Sequence, residues 1–280
     1  MMEEENIGNT PLHTAAEDGN LARLQQLLAT IEVDARNDRG HTPLIIACTN
    51  GHVNCAMALL QAGADINAQD NNLRSSLWDA CEECHVPMAQ MLLEHGADID
   101  ARDVMGYTPL MRAAWQEHGE ECTIAMVEGG ADVTLRGAFE NTALHLASTM
   151  GMVRAVRLLI ARGADPDAEN EDGEHPLVYC ERSWDEMFEA FPFLTEAVQA
   201  EVLDVLRKAS RDVALWRGRR VVVMLQARHE LGQDILGGGS PNASPGSEAV
   251  DTALQAQMMF IVTRPDHEMQ ALFRRIVRFL

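Results

Sequence analysis

The segment Cys81-Glu82-Glu83-Cys84-His85 is the part of this chain whose residue types and spacing most suggest chemistry. A C-x-x-C-H sequence is a c-type haem attachment signature, because its two thiols can bond covalently to the cofactor. A structural zinc site usually needs a second C-x-x-C or a histidine pair, and no second C-x-x-C accompanies this one. Other candidates for chemistry are recurring histidines and aspartates, namely His13, His145, Asp65, Asp98, Asp132 and Asp165. Which of them can react depends on the elements that position them.

Two short patterns repeat in phase along the first two thirds of the chain. The first begins at Thr10, Thr42, Ser75, Thr108, Thr142 and His175, so the steps are 32, 33, 33, 34 and 33 residues. The second, Gly-Ala-Asp, begins at Gly63, Gly96, Gly130 and Gly163. A fixed period of this length is typical of a solenoid, in which each unit packs on its neighbours. We number the units one to six from their opening residues.

The residue types within a unit predict two helices. The opening Thr or Ser is a preferred N-cap, and a Pro at the first helical position gives up only an N–H that has no helical partner. Paired leucines such as Leu59-Leu60 and Leu92-Leu93 mark the second helix. The glycine that follows each pair is suited to a C-cap with positive φ.

The chain resembles the ankyrin-repeat family through these motifs. Thr10-Pro11-Leu12-His13-Thr14-Ala15 matches the T-P-L-H-x-A signature, and the period is close to 33 residues. The resemblance covers about residues 6–180. It implies an all-α ankyrin solenoid of helix-turn-helix units with β-hairpin or turn connections. Residues 1–180 would then hold five units and a partial sixth.

The repeat register indicates that these candidates for chemistry are structural residues. Cys81 occupies the small core position held by Ala16 and Ala114, which argues against haem or metal binding. The resemblance implies that His13 and His145 support turn hydrogen bonds between units, and that the recurring aspartates are structural. We therefore expect no catalytic residues, no metal site, no cofactor and no enzymatic activity.

The resemblance also implies where a partner would bind. In ankyrin proteins the hairpin tips and the exposed ends of the first helices line a concave groove. By register, that groove would present Arg39, His41, Arg74, Met105, Tyr107, Trp115, Gln116, Phe139, Asn141 and Met150. Large apolar anchors among acidic residues are typical of an interface hot spot. We therefore predict a protein-binding scaffold whose partner segment combines basic residues with one apolar anchor.

The charge restricts the classes of partner and location. The formal net charge is −21 and the sequence pI is about 4.7, so nucleic acid and anionic membrane surfaces would be repelled. No apolar run approaches the roughly 18 residues that span a bilayer. The acidic start Met1-Met2-Glu3-Glu4-Glu5 is unlike a secretory signal. We expect a monomer in the cytoplasm, the nucleus or both, with its six cysteines reduced.

The last hundred residues predict a different organisation. Residues 181–236 read as a helical capping region, with one helix starting near Ser183 and another near Thr195. Residues 237–249 form a Gly/Ser/Pro-rich linker by composition, and residues 250–280 end in an amphipathic helical segment.

That ending is similar to the first helix of an F-box. The similarity implies an alternative function, a substrate-recognition adaptor of a cullin-type ubiquitin ligase. The docking face would be Leu272, Phe273, Ile276, Val277 and Leu280. The competing interpretation is a last amphipathic helix that packs on its own domain.

Overall fold

Pairs of short helices repeat along the chain in the computed structural model, which describes residues 8–187, 195–211 and 213. The helices are α1 (Pro11–Glu17), α2 (Leu21–Leu27), α3 (Pro43–Thr49), α4 (Val53–Gln61), α5 (Ser76–Glu82), α6 (Val86–Glu94), α7 (Pro109–Ala114), α8 (Glu120–Glu128), α9 (Ala143–Thr149), α10 (Val153–Ala161) and α11 (Pro176–Met187). A further helix, α12, covers residues 196–211. The odd-numbered helix opens each of the first five units and the even-numbered helix closes it.

The first helices begin where the sequence places their caps. The hydroxyls of Thr42, Ser75 and Thr108 each accept a hydrogen bond from the backbone N–H three residues further on, at 3.2–3.3 Å. Each bond satisfies one of the backbone donors that a helix leaves unpaired at its N-terminus. Units one and five add a histidine three residues after the cap, and its ring accepts from the cap residue's own N–H.

The helices stack in two layers. Each first helix packs on the first helix of the next unit, from α1 through α11, and the second helices pack in the same order from α2 to α10. The leucines that open the apolar face of the first helices are fully buried between the layers, namely Leu12, Leu44, Leu77, Leu110 and Leu144. This arrangement confirms the predicted all-α ankyrin solenoid.

Hairpin-like turns connect consecutive units. Two isolated antiparallel bridges, Gln69–Ser75 and Arg136–Thr142, are the β-structure of the described residues. The turn of unit three is held by Asp70, whose Oδ1 accepts from the N–H groups of Asn72 and Arg74 at 2.8 Å. The turn places the tips of successive units side by side.

Past unit five, the structure differs from the predicted boundaries in one respect. Ser183 lies inside α11, so the prediction that a new helix starts there is wrong. The helix predicted near Thr195 is confirmed as α12, because the Thr195 hydroxyl accepts from the Val198 N–H at 3.3 Å. Its apolar side is buried at Val202, Leu203, Val205 and Leu206. Ion pairs link α12 to α10 and α11, Arg157–Glu201 at 3.2 Å and Arg207–Glu181 at 2.7 Å.

The predicted linker and C-terminal segment lie outside the described residues. The same holds for the ligase-docking face at Leu272, Phe273, Ile276, Val277 and Leu280. The adaptor function stays a prediction.

Candidate functional site

Four apolar side chains at neighbouring turn tips are exposed. Leu73 is 47% exposed, Val104 60%, Met105 56% and Phe139 62%. The tips of units three and four are in direct contact, because the Val104 N–H donates to the Asn72 carbonyl at 3.0 Å. We call these four residues the tip patch. Met105 and Phe139 were predicted groove residues, whereas the repeat register did not assign Leu73 to the groove.

Two of these tips have unfavourable backbone conformations. The position two residues before the helix cap is glycine in four of the six units, with φ between 68° and 81° at Gly8, Gly40, Gly106 and Gly173. Leu73 and Glu140 stand at this position with φ of 60° and 57°. A side chain in this left-handed region costs roughly 1–2 kcal/mol, because Cβ approaches the following carbonyl oxygen. The strain therefore lies beside exposed apolar groups.

The tip of unit five is built differently from the others. Gly137 stands where Asp70 and Asp103 brace the turns of units three and four, so the bracing carboxylate is absent. Among the described residues, no backbone hydrogen bond joins the tip of unit five to that of unit four. Phe139 has a φ of 57°, and its backbone carbonyl accepts a hydrogen bond from the Glu171 N–H of the next unit at 2.9 Å.

Position 137 needs a residue without a side chain, because its backbone lies close to unit four. A Cβ there would be 3.0 Å from the Tyr107 ring and 2.9 Å from the Met111 Sδ. Tyr107, a predicted groove residue, is half-buried under this tip.

Unit four also has a longer turn between its two helices. Residues 115–119 separate α7 from α8, whereas three residues separate the helices of units one, two, three and five. The extra length explains the single 34-residue step in the sequence. Trp115 lies at the start of this turn and is 38% exposed. Glu117 and, in the corresponding turn of unit three, Glu83 are also exposed.

A network of charged groups links units three and four at their first helices. Glu82 pairs with Arg112 at 2.6 Å and with Arg74 at 3.7 Å. The two guanidinium groups lie over the Trp78 ring, 4.4 Å from its centroid for Arg74 and 5.3 Å for Arg112. We call this set the groove floor. Sequence reasoning predicted Arg74 but missed Trp78 and Arg112.

A buried carboxyl lies next to the groove floor. Asp79, one residue after Trp78, accepts a hydrogen bond from the Thr49 hydroxyl at 3.1 Å. Burial raises the pKa of Asp79 to about 7, and the charges of Glu82 and Asp70 add to the rise. The Thr49 hydrogen bond and Arg74 oppose it. This carboxyl group beside the groove floor therefore has a pKa raised towards neutral pH.

The other predicted groove residues are not all accessible. Arg39 is exposed, His41 is partly buried with its Nε2 3.5 Å from the Asp70 carboxylate, and Gln116 lies beside the Arg112 guanidinium. Asn141 and Met150 are only 3% exposed, so the expectation that both face a partner is wrong. The reasons are visible in the structure. Asn141 Oδ1 accepts from Asn170 Nδ2 of the next unit at 3.2 Å, and Met150 packs into the apolar core.

The candidates for chemistry have structural roles. His13 Nε2 bonds to the His41 carbonyl at 2.9 Å and His145 Nε2 to the Glu174 carbonyl at 3.1 Å, which confirms the predicted hydrogen bonds between units. His85 Nε2 likewise bonds to the Thr49 carbonyl, and Cys81 is fully buried. In the part of the chain that the structure describes, no three His, Cys, Asp or Glu residues are grouped to hold a metal ion.

The same described part has no helix that is both long and apolar enough to cross a membrane.

Comparison with known families decides the relationship. The family model of ankyrin repeats in three copies matches residues 1–70 and 110–204, and that of ankyrin repeats in many copies matches residues 77–128. The chain belongs to the ankyrin-repeat family. Ankyrin repeats present extended surfaces to protein partners, so this chain is a protein-interaction module.

Relatives and a solved structure show the same similarity. The palmitoyltransferase ZDHHC17 of Homo sapiens is 40% identical over 178 residues, 62% of this chain and 28% of that protein. The B-cell lymphoma 3 protein homolog of Mus musculus is 29% identical over 183 residues, 62% of this chain and 33% of that protein. An ankyrin repeat domain from Acinetobacter baumannii superposes with a TM-score of 0.61 at 28% identity, covering 71% of this ankyrin protein and 97% of the bacterial chain. The ankyrin protein therefore spans about a third or less of the length of ZDHHC17 and of the B-cell lymphoma 3 protein homolog.

Proposed function

We propose that this ankyrin protein is a non-catalytic scaffold whose partner docks on the tip patch and Trp115. The partner segment would carry one or more apolar side chains flanked by basic residues. The observation that carries the proposal is the run of four exposed apolar side chains on three adjacent tips.

The apolar part of the proposal is supported by the cost of presenting these side chains. Glycine would relieve the strain at Leu73, as it does at Gly40 and Gly106, yet a leucine stands there and is about half exposed. Strained backbone is more common at binding sites than elsewhere, because function compensates for the lost stability. An adjoining set of exposed apolar groups is also a frequent mark of an interaction site.

The basic part of the proposal is supported by charge. Glu117 is exposed in the same turn as Trp115, and Glu83 is exposed in the corresponding turn of unit three. An indole with carboxylates beside it suits a segment in which Lys or Arg flanks an apolar residue. The positive charge of Arg74 and Arg112 is partly neutralised, because both guanidinium groups are paired with the one carboxylate of Glu82.

Affinity capture from a cell extract, read by quantitative mass spectrometry, tests the proposal. The bait variant Met105→Asp/Phe139→Asp charges the tip patch at side chains that are more than half exposed, so the repeats should stay folded. Met57→Asp is the matched control, because Met57 is also partly exposed but belongs to α4, a second helix. We expect proteins recovered with the wild type and the control to fall at least tenfold with the patch variant. Equal recovery with all three baits would refute the assignment.

A further inference from the structure

Two cysteines from different units are in contact inside the core. Cys81 is in α5 of unit three and Cys122 is in α8 of unit four, 41 residues further along the chain. Their sulfur atoms are 3.6 Å apart, and both side chains are fully buried. Neither is at a position where the repeat requires cysteine, because alanine occupies the corresponding positions at Ala114 and Ala155.

The two thiols are electrostatically unequal. The hydrogen bond between them lowers the pKa of Cys122, against the opposing effect of burial. The same bond, together with burial, raises the pKa of Cys81. The Cys122 thiol donates to the Cys81 sulfur, so the two sulfur atoms that would form a bond are already in contact.

The remaining cysteines do not share this arrangement. Cys48, Cys55 and Cys180 are buried, and burial raises the pKa of all three thiols. The Cys180 thiol donates a hydrogen bond to the Ser148 carbonyl at 3.3 Å. Cys84 is partly accessible, in the turn after α5, and burial raises its pKa to about 11.

We propose that Cys81 and Cys122 are a redox-active pair that hydrogen peroxide converts to a disulfide joining units three and four. This inference goes beyond the proposed binding function and is independent of it. The thiolate of one of the two cysteines attacks peroxide, the O–O bond breaks, and that sulfur becomes a sulfenic acid while the released hydroxide takes the proton that the thiol gave up. The sulfur of the other cysteine then attacks the sulfenic sulfur, the S–O bond breaks, and the second hydroxide leaves as water with the proton of the attacking thiol. Two thiols and one peroxide thus give one disulfide and two waters.

Closing the bond changes the structure where the groove is built. A disulfide needs the sulfurs at about 2.05 Å, so the Cys81 and Cys122 sulfur atoms, which belong to α5 and α8, must approach each other from the present 3.6 Å. Cys81 directly precedes Glu82, the residue that holds Arg74 and Arg112 over Trp78. The link would therefore fix the boundary of units three and four. A cross-link across 41 residues should also raise the melting temperature by about 5 °C or more.

The test uses the full chain treated with hydrogen peroxide. We expect a loss of 2 Da from the intact mass, a Cys81–Cys122 peptide in digests made without reductant, and four remaining free thiols. Dithiothreitol should reverse all three. Cys84→Gly, which restores the residue found at Gly51, should still form the same disulfide. Cys122→Ala, which restores the residue found at Ala155, should abolish it and the rise in melting temperature.

Three results would overturn the inference. They are six unmodified thiols after a peroxide treatment that oxidises the urea-unfolded chain, a disulfide between Cys81 and Cys84 in place of the predicted pair, or loss of the disulfide in Cys84→Gly. Both alanine and glycine are the residues that other units use at these positions, so misfolding is not expected to obscure the outcome.

Discussion

Leu73→Gly should make the ankyrin protein more stable and its proposed binding weaker. Leu73 has a φ of 60° at a tip position where Gly40 and Gly106 have φ near 80°. Relief of the left-handed strain is worth roughly 1–2 kcal/mol, and the greater freedom of glycine in the unfolded chain returns about 0.5–1 kcal/mol of this. The Leu73 side chain does not pack on the core cluster, so its removal costs little burial. The net gain is about 0.5–1 kcal/mol, or roughly 1–4 °C in melting temperature.

Urea denaturation followed by circular dichroism measures this gain directly, as a higher midpoint at an unchanged m-value. Gly173→Leu is the matched reverse variant, because Gly173 has a φ of 74° and open space around an added Cβ. It should lower the midpoint by a similar or larger amount. A lower midpoint for Leu73→Gly, or no change for Gly173→Leu, would show that these tips store no strain. Affinity for a captured partner should fall about fivefold in Leu73→Gly, since an exposed apolar group is lost.

Three further predictions concern Trp115, Asp79 and His145. Trp115→Ala should weaken binding of a captured partner by about 2 kcal/mol, roughly 30-fold, with the melting temperature unchanged, and an unchanged dissociation constant would remove Trp115 from the site. The folded pKa of Asp79 is about 7 against an ordinary 3.8, so the unfolded chain loses this proton first and stability falls as pH rises between these values. Asp79→Asn should therefore raise the free energy of unfolding at pH 8 by on the order of 3 kcal/mol and leave it almost unchanged at pH 4, and equal effects at both pH values would contradict the shift. Burial lowers the pKa of His145 to about 4. Between pH 6.5 and 4 the His145 side chain is therefore protonated in the unfolded chain but not in the folded chain, so the free energy of unfolding falls as pH falls over this range. As pH falls, Asp79 increases the free energy of unfolding while His145 decreases it, so the His145 effect is measured in Asp79→Asn. In that variant, urea titrations should show a loss of about 1.4 kcal/mol of stability per pH unit between pH 6.5 and 4, and a flat profile would refute the His145 assignment.

The fold was predictable from the sequence because its determinants are local and repeated. Thr or Ser caps, proline in the first turn, and leucines at fixed offsets specify the same two helices in each unit. The histidine bonds between units follow from the same register, as His13 and His145 show. The aromatic and thioether groups at Met105 and Phe139 were placed at exposed tips for the same reason, and they are exposed.

The details of the candidate site depend on deviations from the repeat, which a register alone does not resolve. Met150 was assigned to the groove by register, yet its flexible apolar side chain packs into the core. Asn141 is drawn inward by its bond to Asn170 of the next unit. The groove floor was missed because Trp78 and Arg112 come from two units and meet only after those units stack. Ser183 looked like a helix cap, but α11 continues through it because it lies on a helix already begun at Pro176.

Amide hydrogen exchange of the ankyrin protein with and without a captured partner tests the central claim most directly. We expect the partner to slow exchange in residues 71–73, 103–107 and 115–118, and at the tip of unit five in residues 137–140. Exchange in the second helices α4, α6 and α10 should stay unchanged. Protection confined to those second helices, with the tips exchanging as in the free protein, would contradict the claim that the tip patch and the turn that holds Trp115 form the binding surface.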